Sequence, residues 1–145
     1  MSDQPIRIRP ARLDDGAQVW PLARAFATSF TPERAAFDAT WSQLVDVPGT
    51  LLLVAETATS AIVGYLLGNS HLTFLANGRV AWVEEVMVDE NLRGSGVGRL
   101  LMDHAEQWAR SENAAYVALA SRRAGAFYQA LTYEDSATFF KKTLT

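Results

Sequence analysis

The sequence predicts an α/β fold in which a mixed β-sheet carries helices on both faces. One observation behind this prediction is residues 80–110, where a β-branched and aromatic strand leads into a glycine loop and then into an amphipathic helix. A second is the order of the other segments, in which short strand patterns alternate with helical spacings of apolar residues. A mixed sheet covered on both faces is the natural way to bury that order of elements.

The predicted order is a strand, two helices, three strands, a helix, a strand, a helix and two closing strands. Asp14 or Asp15 is expected to cap the first helix, which Pro21 delays or kinks. Thr31 is expected to cap the second helix, with Pro32 in its first turn. The remaining predictions are strands at 5–9, 50–56, 61–67, 80–88 and 115–120, a loop at 69–78, helices from Val97 and at 124–131, and a closing hairpin at 133–134 and 137–144.

Composition excludes several classes of function. The net charge is −3 with no basic run, which argues against nucleic acid as a main partner. No apolar run reaches membrane-spanning length, and the N-terminus lacks the apolar core of a signal peptide, so we expect one cytoplasmic domain over residues 1–145 without a membrane partner. With no cysteine and only two histidines, disulfides, a cysteine nucleophile and a metal site are not expected.

The glycine loop suits a phosphate-bearing ligand. Glycines let the backbone approach an anion, and the unpaired N–H groups at a helix start favour negative charge. Arg93 and Arg99 flank the loop with positive charge. The spacing does not fit the dinucleotide fingerprint, the P-loop or the nucleophile elbow.

Two motifs carry a family resemblance. The spacing Arg93-x-x-Gly96-x-Gly98 resembles the coenzyme A pyrophosphate loop of GCN5-related N-acetyltransferases (GNAT), and the segment A-G-A-F-Y-Q-A-L at 124–131 resembles a second motif of that family. The order of elements is also that of the family, so the resemblance covers essentially the whole chain. It implies a mostly antiparallel central sheet, acetyl-CoA as acyl donor, and cofactor contacts from Arg93, Gly94, Ser95, Gly96, Val97, Gly98 and Arg99.

The sequence departs from the family pattern in two places. Thr132 stands where the family usually has glycine, so the turn after the last helix is expected to differ. Arg122 and Arg123 occupy a region where many members carry an asparagine near the pantetheine arm. Cofactor contacts from that region are therefore not predicted.

The predicted reaction needs a group that takes a proton from the amine. A lysine-like amine has a pKa of about 10 and must lose a proton before it can attack. Glu84 and Glu85 lie on the strand before the glycine loop and point to opposite faces by strand periodicity. They resemble the acid pair of spermidine/spermine acetyltransferases, and that match makes Glu84 the general base and Glu85 the group that attracts a cationic amine. From the residues alone, either carboxylate fits the role of base.

The resemblance also implies how the acyl group and the thiolate are held. In the family a bulge splays this strand from its neighbour, and backbone groups that correspond to Val86, Met87 and Val88 hold the acyl group and pantetheine. Tyr128 matches the family's general acid. Proton transfer from a phenol to a thiolate is only modestly unfavourable in free energy, so a tyrosine can fill this role. Because no cysteine can carry the acetyl group, direct attack in a ternary complex is expected.

Other residues have both a structural and a functional interpretation. His104 lies on or beside the apolar stripe of the long helix and is expected to be a packed histidine, and His71 is a minor candidate base in the predicted loop. Phe139 and Phe140 cannot both point inward from one strand, so one of them is a candidate dimer contact. A third set consists of aromatic residues that either fill the core or line an acceptor pocket, namely Phe26, Phe30, Trp41, Phe74 and Trp82.

The predicted function is acetyl transfer from acetyl-CoA to a primary amine, on a small molecule or a protein, with a weak preference for a cationic acceptor. The rival interpretations are a non-catalytic acyl-CoA sensor on the same fold and another phosphate-ligand enzyme with a convergent loop. Dimers are frequent in the family, so a homodimer is compatible with the resemblance. The sequence leaves open the acceptor, the acyl-chain preference and the oligomeric state.

Overall fold

The computed structural model of this chain describes residues 5–145. Five strands form one mixed, mostly antiparallel sheet with helices on both faces, which confirms the predicted fold class. The elements are β1 (Ile6–Pro10), α1 (Gly16–Phe26), α2 (Arg34–Leu44), β2 (Thr50–Thr57), β3 (Ile62–Thr73), β4 (Gly78–Val88), α3 (Val97–Ser111), β5 (Val117–Leu119) and α4 (Gly125–Ala130).

The strands follow one another across the sheet in the order β1-β2-β3-β4-β5. The first four are antiparallel, and β5 pairs parallel with β4. The middle position belongs to β3, whereas β4 lies beside the short edge strand β5. This arrangement leaves part of β4 free of a neighbour on one side.

Two apolar cores lie on the two faces of the sheet. Strand β2 alternates between them, since Leu51 and Leu53 face the α3 core while Leu52 and Val54 face the core under α1 and α2. A strand buried on both faces reads as a continuous apolar run, as 51–54 does. We call these the α3 face and the α1–α2 face.

The start of α1 is fixed by an ion pair. The Asp15 carboxylate accepts hydrogen bonds from the Arg9 guanidinium at 2.8 and 2.9 Å and from the Arg12 backbone N–H at 2.7 Å. The hydrogen bond from Arg9 lowers the pKa of Asp15. Pro21 is accommodated within α1.

The predicted threonine cap of α2 is wrong. The cap residue is Glu33, which makes no side-chain cap hydrogen bond, and the helix begins two residues beyond Pro32. Because α1 ends at Phe26, Phe30 lies in the connection between the two helices. That connection becomes important for the cavity described below.

The predicted loop at 69–78 is mostly strand. The β3–β4 ladder continues through His71 paired with Val80 and Leu72 paired with Arg79. Only residues 74–77 form the turn, which Thr73 closes through a 2.9 Å hydrogen bond from its hydroxyl to the Gly78 carbonyl. Phe74 and Leu75 are exposed at this tip, because the hairpin projects beyond the core.

The predicted closing hairpin is also wrong, since the structure has no strand after β5 within the described residues. Phe139, Phe140 and Leu144 are all exposed in this C-terminal segment. An apolar alternation favours a strand only where a sheet offers it both hydrogen bonds and a face to bury. The prediction that Phe139 or Phe140 contacts a second copy stays a prediction.

Across residues 5–145, no helix is both long enough and apolar enough to cross a lipid bilayer.

Candidate active site

Strand β4 carries a bulge at Glu84. Gly68 pairs with Val83, but Leu67 pairs with Glu85, so Glu84 is an extra residue without a cross-strand partner. Gly68 is needed at this point, because a Cβ on it would lie 2.9 Å from the Trp82 carbonyl oxygen. The bulge therefore rests on a close backbone approach that only glycine permits.

The bulge changes which face each carboxylate occupies. Val83 and Val86 both pack in the α3 core although they are three residues apart, so the bulge interrupts the simple alternation between them. Glu85 lies on the α1–α2 face, where its Oε1 accepts a 2.6 Å hydrogen bond from the Tyr65 hydroxyl. Glu84 is exposed on the bulge.

Beyond the bulge, one edge of β4 is open. Pairing with β5 ends at Val83 and Leu119, so no strand within residues 5–145 pairs with 84–88 on that side. The Asp89 N–H donates to the Val63 carbonyl at 2.8 Å, and antiparallel backbone groups alternate in direction. The backbone groups of Val86 and Val88 therefore face the open edge, whereas those of Met87 face β3.

The glycine loop follows directly and begins α3. Gly94 and Gly96 have φ values of +80° and +96°, which favour glycine, and open space surrounds the positions where their Cβ atoms would lie. Gly96 is the cap residue of α3 and no side chain caps the helix, so its first N–H groups lack an intrahelical partner. The loop leaves an uncapped helix start beside the open edge of β4.

Polar side chains of the loop take different roles. Arg93 is exposed, and its Nε donates to the Val88 carbonyl at 3.4 Å, which ties the loop to the open strand. Arg99 is exposed in the first turn of α3. The Ser95 hydroxyl donates to the Leu92 carbonyl and thus stabilises the loop itself.

Helix α4 packs its aromatic residues onto this region. A Cβ on Gly98 would lie 3.2 Å from the Phe127 ring, so glycine lets that ring sit against the first turn of α3. Tyr128 is half-buried on the α3 face, with its ring centroid 4.9 Å from Phe127 and 5.9 Å from Tyr133. Burial raises the pKa of Tyr128, which keeps its hydroxyl protonated and able to donate.

A network below Tyr128 holds this helix in place. The Tyr133 hydroxyl donates to Glu106 of α3 at 2.8 Å, and the burial of Tyr133 together with this hydrogen bond raises its pKa. Thr132 has a φ of +71°, the left-handed conformation that glycine adopts most easily. The Tyr133 N–H donates to the Tyr128 carbonyl at 3.0 Å across this residue, as in a Schellman end.

On the opposite face lies a cavity of about 440 Å³ between α1, α2 and the sheet. Of the aromatic candidates, Phe26, Phe30 and Trp41 line it, while Phe74 is fully exposed at the β3–β4 turn and Trp82 is not part of the lining. Among residues 5–145, Glu33 and Glu85 are its only charged lining residues, and no lysine, arginine or histidine of that range lines it.

The remaining candidates lie elsewhere. His71 is exposed on β3, and a ring nitrogen of His104 lies 3.0 Å from the Leu100 carbonyl of its own helix. Arg122 and Arg123 are exposed before α4. None of these four lines the cavity.

Sequence reasoning missed Tyr65, Glu33, Glu106 and Tyr133. Tyr65 pairs with Met87, and Glu85 is the diagonal neighbour of that pair across the strands. The register that brings them together depends on the bulge, so strand alternation alone gives no signal for the contact. Glu33 lines the cavity from the end of the connection between α1 and α2, just before α2 begins.

The geometry divides the site between the two faces. The open edge of β4 at 84–88 separates the uncapped glycine loop and Tyr128 on one side from Glu85 and the cavity on the other. A ligand that passes along this edge would meet backbone donors, a neutral phenol and a carboxylate in turn.

Comparisons with known proteins agree with this geometry. The model of the Acetyltransferase (GNAT) family matches residues 17–133. No curated protein sequence matches the chain significantly.

Solved structures share the fold at low identity. Glucosamine-6-phosphate N-acetyltransferase from Arabidopsis thaliana is 19% identical with a TM-score of 0.84, over 97% of this chain and 99% of that one. An aminoglycoside 6'-N-acetyltransferase from Acinetobacter baumannii is 21% identical with a TM-score of 0.79, over 97% and 100%. A ribosomal-protein-alanine N-acetyltransferase from Brucella melitensis is 17% identical with a TM-score of 0.76, over 97% and 100%.

Proposed function

This chain belongs to the acetyltransferase (GNAT) family, and we propose that it transfers an acetyl group from acetyl-CoA to a primary amine. One observation carries the proposal: the open segment of β4, 84–88, leads into an uncapped glycine loop and, through Glu85, contributes a carboxylate to the cavity on the α1–α2 face. A donor with phosphates and an acceptor with a cationic amine would therefore approach one strand from opposite sides.

The residues present fit coenzyme A. The uncapped start of α3, the open space over Gly94 and Gly96, and the exposed Arg93 and Arg99 suit a pyrophosphate. The backbone groups of Val86 and the N–H of Val88, which face the open edge, suit the amides and the acyl oxygen of an extended donor. When bound, acetyl-CoA supplies a thioester carbonyl that a neutral amine can attack.

Glu85 is the proposed general base. It lies in the acceptor cavity, and Tyr65 holds one of its carboxylate oxygens by a 2.6 Å hydrogen bond. Glu85 attracts the ammonium group and takes one proton, so that the nitrogen gains a lone pair. Glu84 is the alternative base from its exposed position on the bulge, acting through a water.

Tyr128 is the proposed general acid. As the amine nitrogen bonds to the acetyl carbon, the carbon–sulfur bond breaks and the sulfur carries the electron pair. The Tyr128 hydroxyl donates a proton to that sulfur, and burial, which raises its pKa, keeps the proton available. The products are an N-acetyl amine and the free thiol. Of the two protons that the ammonium nitrogen loses, the first is on Glu85, and the second, released once the carbon–nitrogen bond has formed, restores the Tyr128 hydroxyl.

The transfer is proposed to be direct. The sequence contains no cysteine that could carry the acetyl group as a thioester. The position of the cavity and the loop on opposite sides of one strand supports a ternary complex, in which both substrates are bound before any bond breaks.

The test measures thiol release from acetyl-CoA with a panel of amines, together with thermal unfolding in the presence of coenzyme A alone. We expect stabilisation by coenzyme A and thiol release that depends on the amine. Stabilisation without release from any amine would favour the acyl-CoA sensor. Absence of stabilisation by saturating coenzyme A would contradict the proposed role of residues 93–99.

A further inference from the structure

We infer that the acceptor is a primary amine on a small, apolar, ring-bearing body that carries no anionic group. The inference rests on the proposed function, because it takes the cavity on the α1–α2 face as the acceptor site. It names a class of substrate that the family match leaves open.

The walls of the cavity are apolar and aromatic. Phe26, Phe30, Phe37 and Trp41 contribute rings, and Phe30 is 61% exposed at the connection between the helices. Exposed rings beside a cavity offer surface that a flat, apolar ligand can cover. A sugar or a polyamine would leave this surface uncovered, whereas an aromatic or aliphatic body would bury it.

The charged residues of the cavity favour a ligand with a positive charge. In the part of the chain that the structure describes, Glu33 and Glu85 are its only charged lining residues, so this lining has a formal charge of −2 and no cation. An ammonium group gains from both carboxylates, whereas a phosphate or a carboxylate on the ligand would meet only repulsion and lose its hydration. Amino acids and sugar phosphates are therefore poor acceptors.

Glu85 is prepared to receive a single ammonium group. Its Oε1 accepts the hydrogen bond from Tyr65, which is itself buried, and over residues 5–145 its Oε2 accepts none. An ammonium group that donates to Oε2 would complete the hydrogen bonding of the carboxylate. The size of the cavity, about 440 Å³, is suited to a small molecule rather than to a folded protein surface.

The test compares ligands that differ in one feature. 2-Phenylethylamine has the ring and the amine, phenylalanine adds a carboxylate, and ethanolamine lacks the ring. Binding of each to the protein saturated with coenzyme A is measured by calorimetry, and thiol release from acetyl-CoA is measured in parallel. We expect 2-phenylethylamine to exceed both other ligands by about tenfold or more in affinity and in kcat/KM. Burial of the ring, which ethanolamine lacks, and repulsion of the carboxylate that phenylalanine carries each contribute an effect of that order.

Two variants on α2 locate the effect. Ala36 lines the cavity and Ala35 does not, although both are exposed on the same helix. Ala36→Arg should reduce binding of 2-phenylethylamine by about tenfold through added bulk and positive charge, while Ala35→Arg should leave it unchanged. Both variants should bind coenzyme A like the parent protein.

The outcomes separate this inference from the proposed function. Selective binding of 2-phenylethylamine without thiol release from any amine would support the cavity's specificity and contradict the transferase. Thiol release that favours ethanolamine, phenylalanine or glucosamine 6-phosphate would support the transferase and overturn the inference. Equal loss of 2-phenylethylamine binding in Ala36→Arg and Ala35→Arg would also overturn it.

Discussion

The α3 face of the sheet presents backbone groups that lie close together in the sequence, whereas the α1–α2 face presents side chains gathered from distant segments. On the α3 face, residues 86–99 supply an open strand edge, a glycine loop and an uncapped helix in one continuous stretch. On the α1–α2 face, Phe30, Trp41, Tyr65 and Glu85 come from four separate elements or connections.

This difference explains why the α3 face suits recognition of a common donor and the α1–α2 face suits recognition of a particular acceptor. Backbone N–H groups recognise phosphate regardless of side chains, so a glycine loop serves any protein that binds the same donor. The acceptor side depends on the shape and charge of a cavity, which a few substitutions on α1 and α2 would change. We therefore expect changes on the two faces to separate donor binding from turnover.

The largest expected effect separates the two neighbouring carboxylates. Glu85→Gln removes the proposed base, and we expect kcat/KM to fall by about 100-fold or more, the usual size of a general-base contribution. Affinity for coenzyme A should not change, because Glu85 lies on the opposite face. The deficit should shrink as pH rises towards about 10, where the amine loses its proton without help.

Glu84→Gln is the matched control for this variant. Glu84 is exposed and does not line the cavity, so we expect a change in kcat/KM of less than about threefold, as for most exposed surface positions. A large fall of kcat/KM in Glu84→Gln, with little change of kcat/KM in Glu85→Gln, would make Glu84 the base instead of Glu85.

The next effect concerns the proposed acid. Tyr128→Phe keeps the ring that packs against Phe127 and Tyr133 but removes the hydroxyl, so kcat should fall by about tenfold to 100-fold while coenzyme A still binds. Because burial raises the pKa of Tyr128, the parent enzyme should keep this contribution up to at least pH 10 and lose it only above. If kcat fell with rising pH at values well below 10 because the Tyr128 hydroxyl had lost its proton, the assignment of Tyr128 as the acid would be contradicted.

A smaller effect concerns the loop. Gly96 has a φ of +96°, and Gly96→Ala should both strain the backbone and place a methyl group where the donor binds. Because the methyl group would displace a phosphate from the loop N–H groups, and a lost hydrogen bond to a charged group costs about 1.5 kcal/mol or more, we expect the Kd for coenzyme A to rise about tenfold, which calorimetry would measure.

Gly49→Ala controls for strain alone. Gly49 has a φ of +81° at a position remote from the loop, so its alanine variant should lose similar stability and keep its affinity for coenzyme A. Equal losses of affinity in both variants would show that strain, rather than the site, is responsible.

The smallest expected effect concerns Thr132, which stands where the family usually has glycine. Its φ of +71° is costly for a β-branched residue, so Thr132→Gly should raise the free energy of unfolding by about 1 kcal/mol, as measured by urea denaturation. Thr132→Ala keeps a Cβ on a backbone with the same positive φ, so its free energy of unfolding should rise by less than that of Thr132→Gly. A glycine variant no more stable than the alanine variant would show that the turn is not strained.

Most of the strands and helices could be predicted because their signals are local. The apolar run of β2, the helical spacing of α3 and the glycine loop each lie within about fifteen residues. The failures are equally informative. Residues 69–73 continue β3 only because β4 pairs with them, and residues 137–144 are exposed because no sheet edge in the described structure takes them up.

The amino-acid sequence by itself determined the family, the order of the elements up to α4 and the glycine loop between β4 and α3, because glycines and periodicity act through neighbours along the chain. Only the tertiary structure decided that Glu85 and not Glu84 lies in the cavity. That outcome depends on the bulge opposite Gly68, on the Tyr65 hydroxyl across the strands and on two helices that meet over them. Contacts between distant segments depend on register and packing, and a one-residue shift in a strand reverses the face of every side chain that follows.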